Sequence, residues 1–124
     1  MNRLLGRLEP QFYALLRMVA GLLFACHGAQ KLFGVLGGQR VAYTSQLGLA
    51  GFIEFGCGIL IAVGLFTRLA AFIAAGEMAV AYVQVHAPRG LWPIQNMGEP
   101  AVLYCFLFLY IAARGAGKFG VDRR

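Results

Sequence analysis

Hydrophobic residues fall into four runs, roughly 11–33, 46–66, 68–86 and 99–114, separated by short polar or glycine-rich breaks. Each run holds about 16–23 residues, close to the ~20 that an α-helix needs to cross about 30 Å of hydrocarbon. Lipid offers the backbone no hydrogen-bond partner, so spans of this kind are helical. The pattern predicts an all-α, four-transmembrane-helix bundle made of a single domain over residues 1–124, with no internal repeat.

The breaks carry their own signals. Residues 1–10, with Arg3, Arg7 and Glu9, form a short polar lead that ends at Pro10. A basic lead before an apolar run also describes a signal peptide, but this run is too long, Arg17 interrupts it, and no small-x-small cleavage site follows. Gly34 reads as the C-terminus of the first helix. The first loop carries Gly37, Gly38, Gln39 and Arg40, only the corner Phe66-Thr67-Arg68 separates the second and third runs, and a longer loop from Pro88 to Gly98 precedes the fourth.

A soluble four-helix bundle would need a polar face on every helix. Run 46–66 offers only Gln46 and Glu54 as clearly polar residues, and run 99–113 offers Glu99 at its start and two tyrosines. Composition agrees: 60% of residues are hydrophobic and 13% charged, against roughly 45–50% and about 25% in soluble domains. The net charge of +6 does not read as nucleic-acid binding, because the basic residues are scattered at the ends of apolar runs rather than clustered. With four spans, Arg3, Arg7, Arg68, Arg114, Lys118, Arg123 and Arg124 share one side, against Lys31, Arg40 and Arg89 on the other. That bias predicts cytoplasmic N and C termini, with Trp92 at the outer membrane–water interface.

Polar residues inside such spans are costly and need partners. Arg17 falls in the inner half of the first span. His27 and Lys31, four apart and so on one helix face, fall in its outer half with Gln30. Glu54 lies about 12 Å below the outer end of the second span and Glu77 near the midplane of the third, at ~1.5 Å per residue. Glu99 opens the fourth span at the outer surface. His27, Gln30, Lys31, Glu54, Glu77 and Glu99 are therefore candidates for ligand binding or proton relay, and Arg17 for a structural ion pair with a carboxylate. The expected partners are His27 for Glu54, and Arg17 or His27 for Glu77. Glu77, Ala81 and Gln84 share a face expected to point into the bundle. The alternatives are helix–helix glue for the buried groups and favourable dipole placement for Glu99.

Gly21 and Ala25, then Ala71, Ala75 and Ala79, are spaced for close helix approach. The glycine-rich second span reads the same way, with room for a flat ligand as the alternative. Cys26, Cys57 and Cys105 form no Cys-x-x-Cys pair and have no metal-ligand spacing, so they read as small buried hydrophobes and no metal is expected. His86 reads as an interfacial residue.

The chain resembles the DoxX family of small four-helix bacterial membrane proteins over nearly its whole length. The resemblance rests on Arg17, on His27-Gly28-Ala29-Gln30-Lys31-Leu32-Phe33-Gly34, and on Glu54 in a glycine-rich span. It continues through Gly64-Leu65-Phe66-Thr67-Arg68-Leu69-Ala70-Ala71, Glu77-Met78 with His86, and Asn96-Met97-Gly98-Glu99. It implies a multi-pass protein of the bacterial inner membrane. Relatives include a membrane subunit of a thiosulfate:quinone oxidoreductase, and others associate with sulfur-redox and superoxide-handling partners. One reading is thus a redox-associated subunit that binds a quinone or other lipophilic ligand, with a soluble or membrane oxidoreductase subunit as partner, since the chain shows no cofactor motif of its own. A small proton-coupled transporter, which at this size would be a homo-oligomer, and a non-catalytic membrane anchor or assembly partner are the alternatives.

Overall fold

The computed structural model describes residues 1–122; Arg123 and Arg124, counted above in the charge bias, lie outside the described residues. Among the described residues the chain is all-helical and has no strand. Helix α1 is Asn2–Arg7, α2 Glu9–Phe33, α3 Gln46–Val63, α4 Thr67–Ala81, α5 Pro93–Asn96 and α6 Glu99–Arg114. Helix α4 runs on through a π-helical turn, Tyr82–His86, and a 3₁₀ turn, Ala87–Arg89. Glu9–Phe33, Gln46–Val63 and Thr67–Arg89 are each long and apolar enough to cross a membrane. Helix α6 has 16 residues.

The boundaries differ from the hydropathy pattern where capping chemistry intervenes. Residues 1–10 are not a mere lead. Asn2–Arg7 of this stretch form α1, whose residues are all unburied, and Pro10 lies in the first turn of α2, where its missing N–H costs nothing. Helix α3 stops at Val63 rather than 66 because Gly64 takes the left-handed conformation (φ 77°) that ends a helix. Gly34 does the same for α2 at φ 68°.

Helix α2 packs along α3, and α4 along α6, while α3 and α4 join the two pairs. The α2–α3 contact is backbone to backbone. A Cβ on Gly21 would fall 2.7 Å from the Gly58 carbonyl oxygen, and one on Gly58 the same distance from that of Gly21. Helix α4 packs against α6 and α3 and is buried along a ladder of alanines, Ala70, Ala71, Ala74 and Ala75. Large side chains point the other way: Leu15, Leu22, Phe52, Phe72, Leu103 and Phe106 are all exposed. Small residues inside and bulky apolar residues outside are the arrangement of helices that meet lipid rather than water. Aromatic rings fill the space between α2 and α6, with Phe24 and Phe108 centroids 4.8 Å apart.

The first and last described segments gather at one end of the bundle. Arg114 forms a bidentate ion pair with Glu9, and Tyr13 Oη donates to the Gly115 carbonyl at 2.7 Å. The Asp122 carboxylate accepts from the N–H groups of Phe66 and Thr67, both at 2.8 Å, and so caps α4. Those bonds to N–H groups hold the Asp122 carboxyl below the usual aspartate range. Arg68 donates to the last carbonyls of α6, those of Ala112, Ala113 and Arg114. Arg17 is fully buried, and its guanidinium donates to the carbonyls of Ala116 (2.8 Å) and Phe119 (3.4 Å). Its expected carboxylate partner is absent: among the described residues no Asp or Glu comes within ion-pair distance. The returning C-terminal segment supplies backbone oxygens instead.

A candidate ligand cavity between the helices

A cavity of about 890 Å³ occupies the opposite end of the bundle, between α2, α3, the α4–π segment and the start of α6. Its walls are apolar, with Phe24, Ile53, Met78 and Ala101 among them, and the exposed Leu47, Ile73 and Val80 stand at its rim. Its polar groups come from every helix that lines it: His27 and Lys31 from α2, Gln46 and Glu54 from α3, Glu77 from α4, Gln84 and His86 from the π turn, and Tyr104 from α6.

Lys31 Nζ donates to Glu54 Oε1 at 2.6 Å. Glu54 is buried and only 2% exposed, while Lys31 remains partly open to the cavity. The partner expected from the sequence was His27. One helical turn separates the two candidates, and the rotation of α2 against α3 selects the lysine. Gly28, on the same turn, lets this happen, since a Cβ there would sit 2.7 Å from the Gly51 carbonyl oxygen and collide with the backbone of Phe55.

Glu77 lies within hydrogen-bonding reach of Glu54 and in the field of Lys31. Neither Arg17 nor His27 is its partner. Its Oε1 atom is buried and no hydrogen-bond donor reaches it. His27 is exposed to the cavity and stands edge-on to the Tyr104 ring, with centroids 6.2 Å apart and planes at 88°. Gln46 Nε2 donates to Gln84 Oε1, which ties α3 to the π turn. His86 Nδ1 faces the carbonyl oxygen of Asn96 at 3.1 Å.

The structure thus brings together His27, Lys31, Glu54 and Glu77 and leaves two of the candidates aside. Gln30 donates to the Leu36 carbonyl at 2.9 Å and holds the first loop, not the cavity. Glu99 is exposed on the first turn of α6, and its neighbours Pro100 and Ala101, not Glu99 itself, line the cavity. Three cavity groups were not among the candidates. Tyr104 was one tyrosine in an apolar run, Gln46 opened a helix, and His86 read as an interfacial residue. Fully buried Asn96 organises the second loop, donating to Tyr82 Oη and the Gly90 carbonyl (3.0 Å each) and accepting from Gly98 N–H at 2.9 Å. The three cysteines are free thiols, and among the described residues no three His, Cys, Asp or Glu side chains converge as metal ligands would. A smaller cavity of about 320 Å³ lies near Arg68, Arg114 and Asp122, whose polar groups are already engaged in capping and ion pairing.

The chain is 42% identical over 127 residues to a protein of Haemophilus influenzae described as uncharacterized, across 97% of this chain and 95% of that one. It is 29% identical to the inner membrane protein YqjF of Escherichia coli, across 94% of each chain. It is 27% identical to an uncharacterized membrane protein of Mycobacterium tuberculosis, across 98% of this chain and 86% of that one. No solved structure matches. The DoxX family model matches residues 12–87, which include the buried Arg17, the His27–Lys31 turn and both cavity carboxyl groups. With that match and the helices able to span a bilayer, the chain is a membrane protein and belongs to the DoxX family.

Proposed function

We propose that the protein crosses the bacterial inner membrane four times, with both termini in the cytoplasm, and binds a lipophilic, quinone-like ligand in the cavity. The observation that carries this reading is the cavity itself: about 890 Å³ with apolar walls, a rim of outward-facing Leu47, Ile73 and Val80, and polar side chains converging from four helical segments. Ligand sites have this composition, with a few placed polar groups in a mainly apolar cleft. A ligand that partitions into lipid can enter between α3 and α4. His27 and the free donors of Lys31 suit a carbonyl oxygen, while Glu54 and Glu77 are placed to exchange protons with bound ligand.

Helix α6 supports the fourth span. Its outer face carries the exposed Leu103, Phe106 and Leu109, as apolar as the outer faces of the other three. The basic residues Arg3, Arg7, Arg68, Arg114 and Lys118 belong to the end where the described termini meet, as cytoplasmic placement requires. The name of the Escherichia coli relative agrees with an inner-membrane location. The reading makes the protein a redox-associated subunit whose electron donor is a partner oxidoreductase.

The test is native mass spectrometry of the detergent-purified protein, with lipid extraction of what accompanies it. A quinone that co-purifies with the wild type and is lost from His27→Ala is the expected result. A protein free of small molecules that instead brings down an oxidoreductase would replace this reading with that of a membrane anchor.

A further inference from the structure

We infer that Lys31, Glu54 and Glu77 form an electrically neutral cluster with one proton held between the two carboxyl groups, so that the cavity selects an uncharged amphiphile over an anion or a cation. The inference rests on the cavity being a ligand site. Its grounds are geometric. Lys31 Nζ is 2.6 Å from Glu54 Oε1, which fixes one positive against one negative charge. Glu77 is within hydrogen-bonding reach of the same Glu54 carboxyl, yet its buried Oε1 meets no N–H or O–H donor. Two ionised carboxylates do not share such a contact. A single proton on the pair turns it into an O–H···O hydrogen bond, supplies the missing donor and leaves the three side chains with no net charge.

The surroundings add no further fixed charge. The titratable groups lining the cavity around Glu77 are His27 and Lys31 on α2, Glu54 on α3, His86 on the π turn and Tyr104 on α6, and the buried Cys57 thiol of α3 lies near Glu77 outside that lining. Cys57 and Tyr104 are neutral near pH 7 at ordinary values, and Lys31 is the one lysine, with no arginine or aspartate beside it, among the residues that line the cavity. The cavity therefore offers dipoles and donors, with no unpaired ion to match a charged headgroup. A charged ligand would bring its own uncompensated desolvation cost.

The experiment has two independent readouts on the detergent-purified protein. Infrared titration follows the C=O stretch of a protonated carboxylic acid without any ligand. The wild type should show that band at neutral pH, and Glu77→Gln, which is isosteric, should lack it. Binding is then measured for three probes of equal tail length: decylubiquinone, decanoate and decyltrimethylammonium. The neutral probe should bind at least about tenfold more tightly than either ion, the scale of one unit charge at ~10 Å in an effective dielectric of ~20. Raising the pH until the acid band disappears should improve the cation about tenfold in the wild type and leave it unchanged in Glu77→Gln. Absence of the band, or equal binding of an ion at neutral pH, overturns the inference. If no probe binds at all, the ligand reading falls and the selectivity inferred here falls with it, while the infrared band still reports the charge of the cluster.

Discussion

Lys31 and Glu54 meet across the α2–α3 interface, with Nζ 2.6 Å from Oε1 and the carboxylate side chain 3% exposed. The pair joins the last turn of one membrane helix to the middle of the next. Replacing Lys31 by Met leaves the buried Glu54 carboxylate without its cation. The expected loss is about 3 kcal/mol, the lower end of the range for breaking a buried pair, because Lys31 is a quarter exposed. The double variant Lys31→Met/Glu54→Gln should recover more than half of that loss. Thermal melting of the three proteins in one detergent checks it, and a double variant as unstable as the single would show that the pair is not coupled.

The α2–α3 contact predicts opposite outcomes for two glycines. Gly28→Ala drives a Cβ into the backbone of Phe55 and to 2.7 Å from the Gly51 carbonyl oxygen, so the helices must separate. Overpacking of this kind costs about 1–3 kcal/mol. At Gly56 a Cβ meets nothing within 4 Å. Gly56→Ala should be neutral or stabilising by up to about 1 kcal/mol, the helix propensity difference. Melting midpoints that move together in the two variants would contradict the backbone contact.

Asp122 gives a pH signature at the other end. Its carboxylate caps α4 through the N–H groups of Phe66 and Thr67, and the Thr67 bond is the main reason its pKa is lowered from 3.8. A group whose folded pKa is depressed stabilises the protein fully above its unfolded pKa, and that contribution is lost as pH falls through the folded value. Asp122→Ala should therefore cost about 1 kcal/mol near pH 7, the usual worth of an N-cap. The gap between wild type and variant should close once the pH drops below the normal aspartate range. Melting temperatures from pH 7 to pH 3 measure this, and a gap independent of pH would assign the effect to something other than the carboxylate.

The helical runs were legible in the sequence because bilayer thickness fixes their length and lipid fixes their composition. The close α2–α3 approach was legible in Gly21 and Ala25 for the same reason, since small residues at helical spacing have few other uses in lipid. Which charge meets which was not legible. His27 and Lys31 share a face of α2, and only the rotation and crossing of α2 against α3 decides that Lys31 reaches Glu54. Gln30, one residue before Lys31, is turned by about a quarter of a helical circuit and serves the loop instead. Arg17 defeated the expectation of a carboxylate partner because its acceptors are carbonyls of Ala116 and Phe119, which belong to an irregular segment without side-chain signature. Tyr104 joined the cavity through the packing of α6, which hydropathy does not encode.

That Arg17 contact makes the C-terminal segment part of the fold rather than an appendage. Removing residues 115–124 would strip the guanidinium of its carbonyl acceptors and leave a charge in a site with no exposure. It would also remove the acceptor of Tyr13 Oη and the cap of α4. In an Arg17→Met background the same truncation loses the Tyr13 and Asp122 contacts but strands no charge. The two changes should therefore be coupled by about 1.5–3 kcal/mol, the worth of hydrogen bonds to a charged group. A double-mutant cycle on melting in detergent measures the coupling. Hydrogen exchange gives the local check, since the Val121 and Asp122 amides, bonded to Val63 O at 3.2 Å and Gly64 O at 2.7 Å, should lose protection in full-length Arg17→Met. Additive losses with unchanged protection would mean that the segment is held by Asp122 alone and that the buried arginine serves another partner.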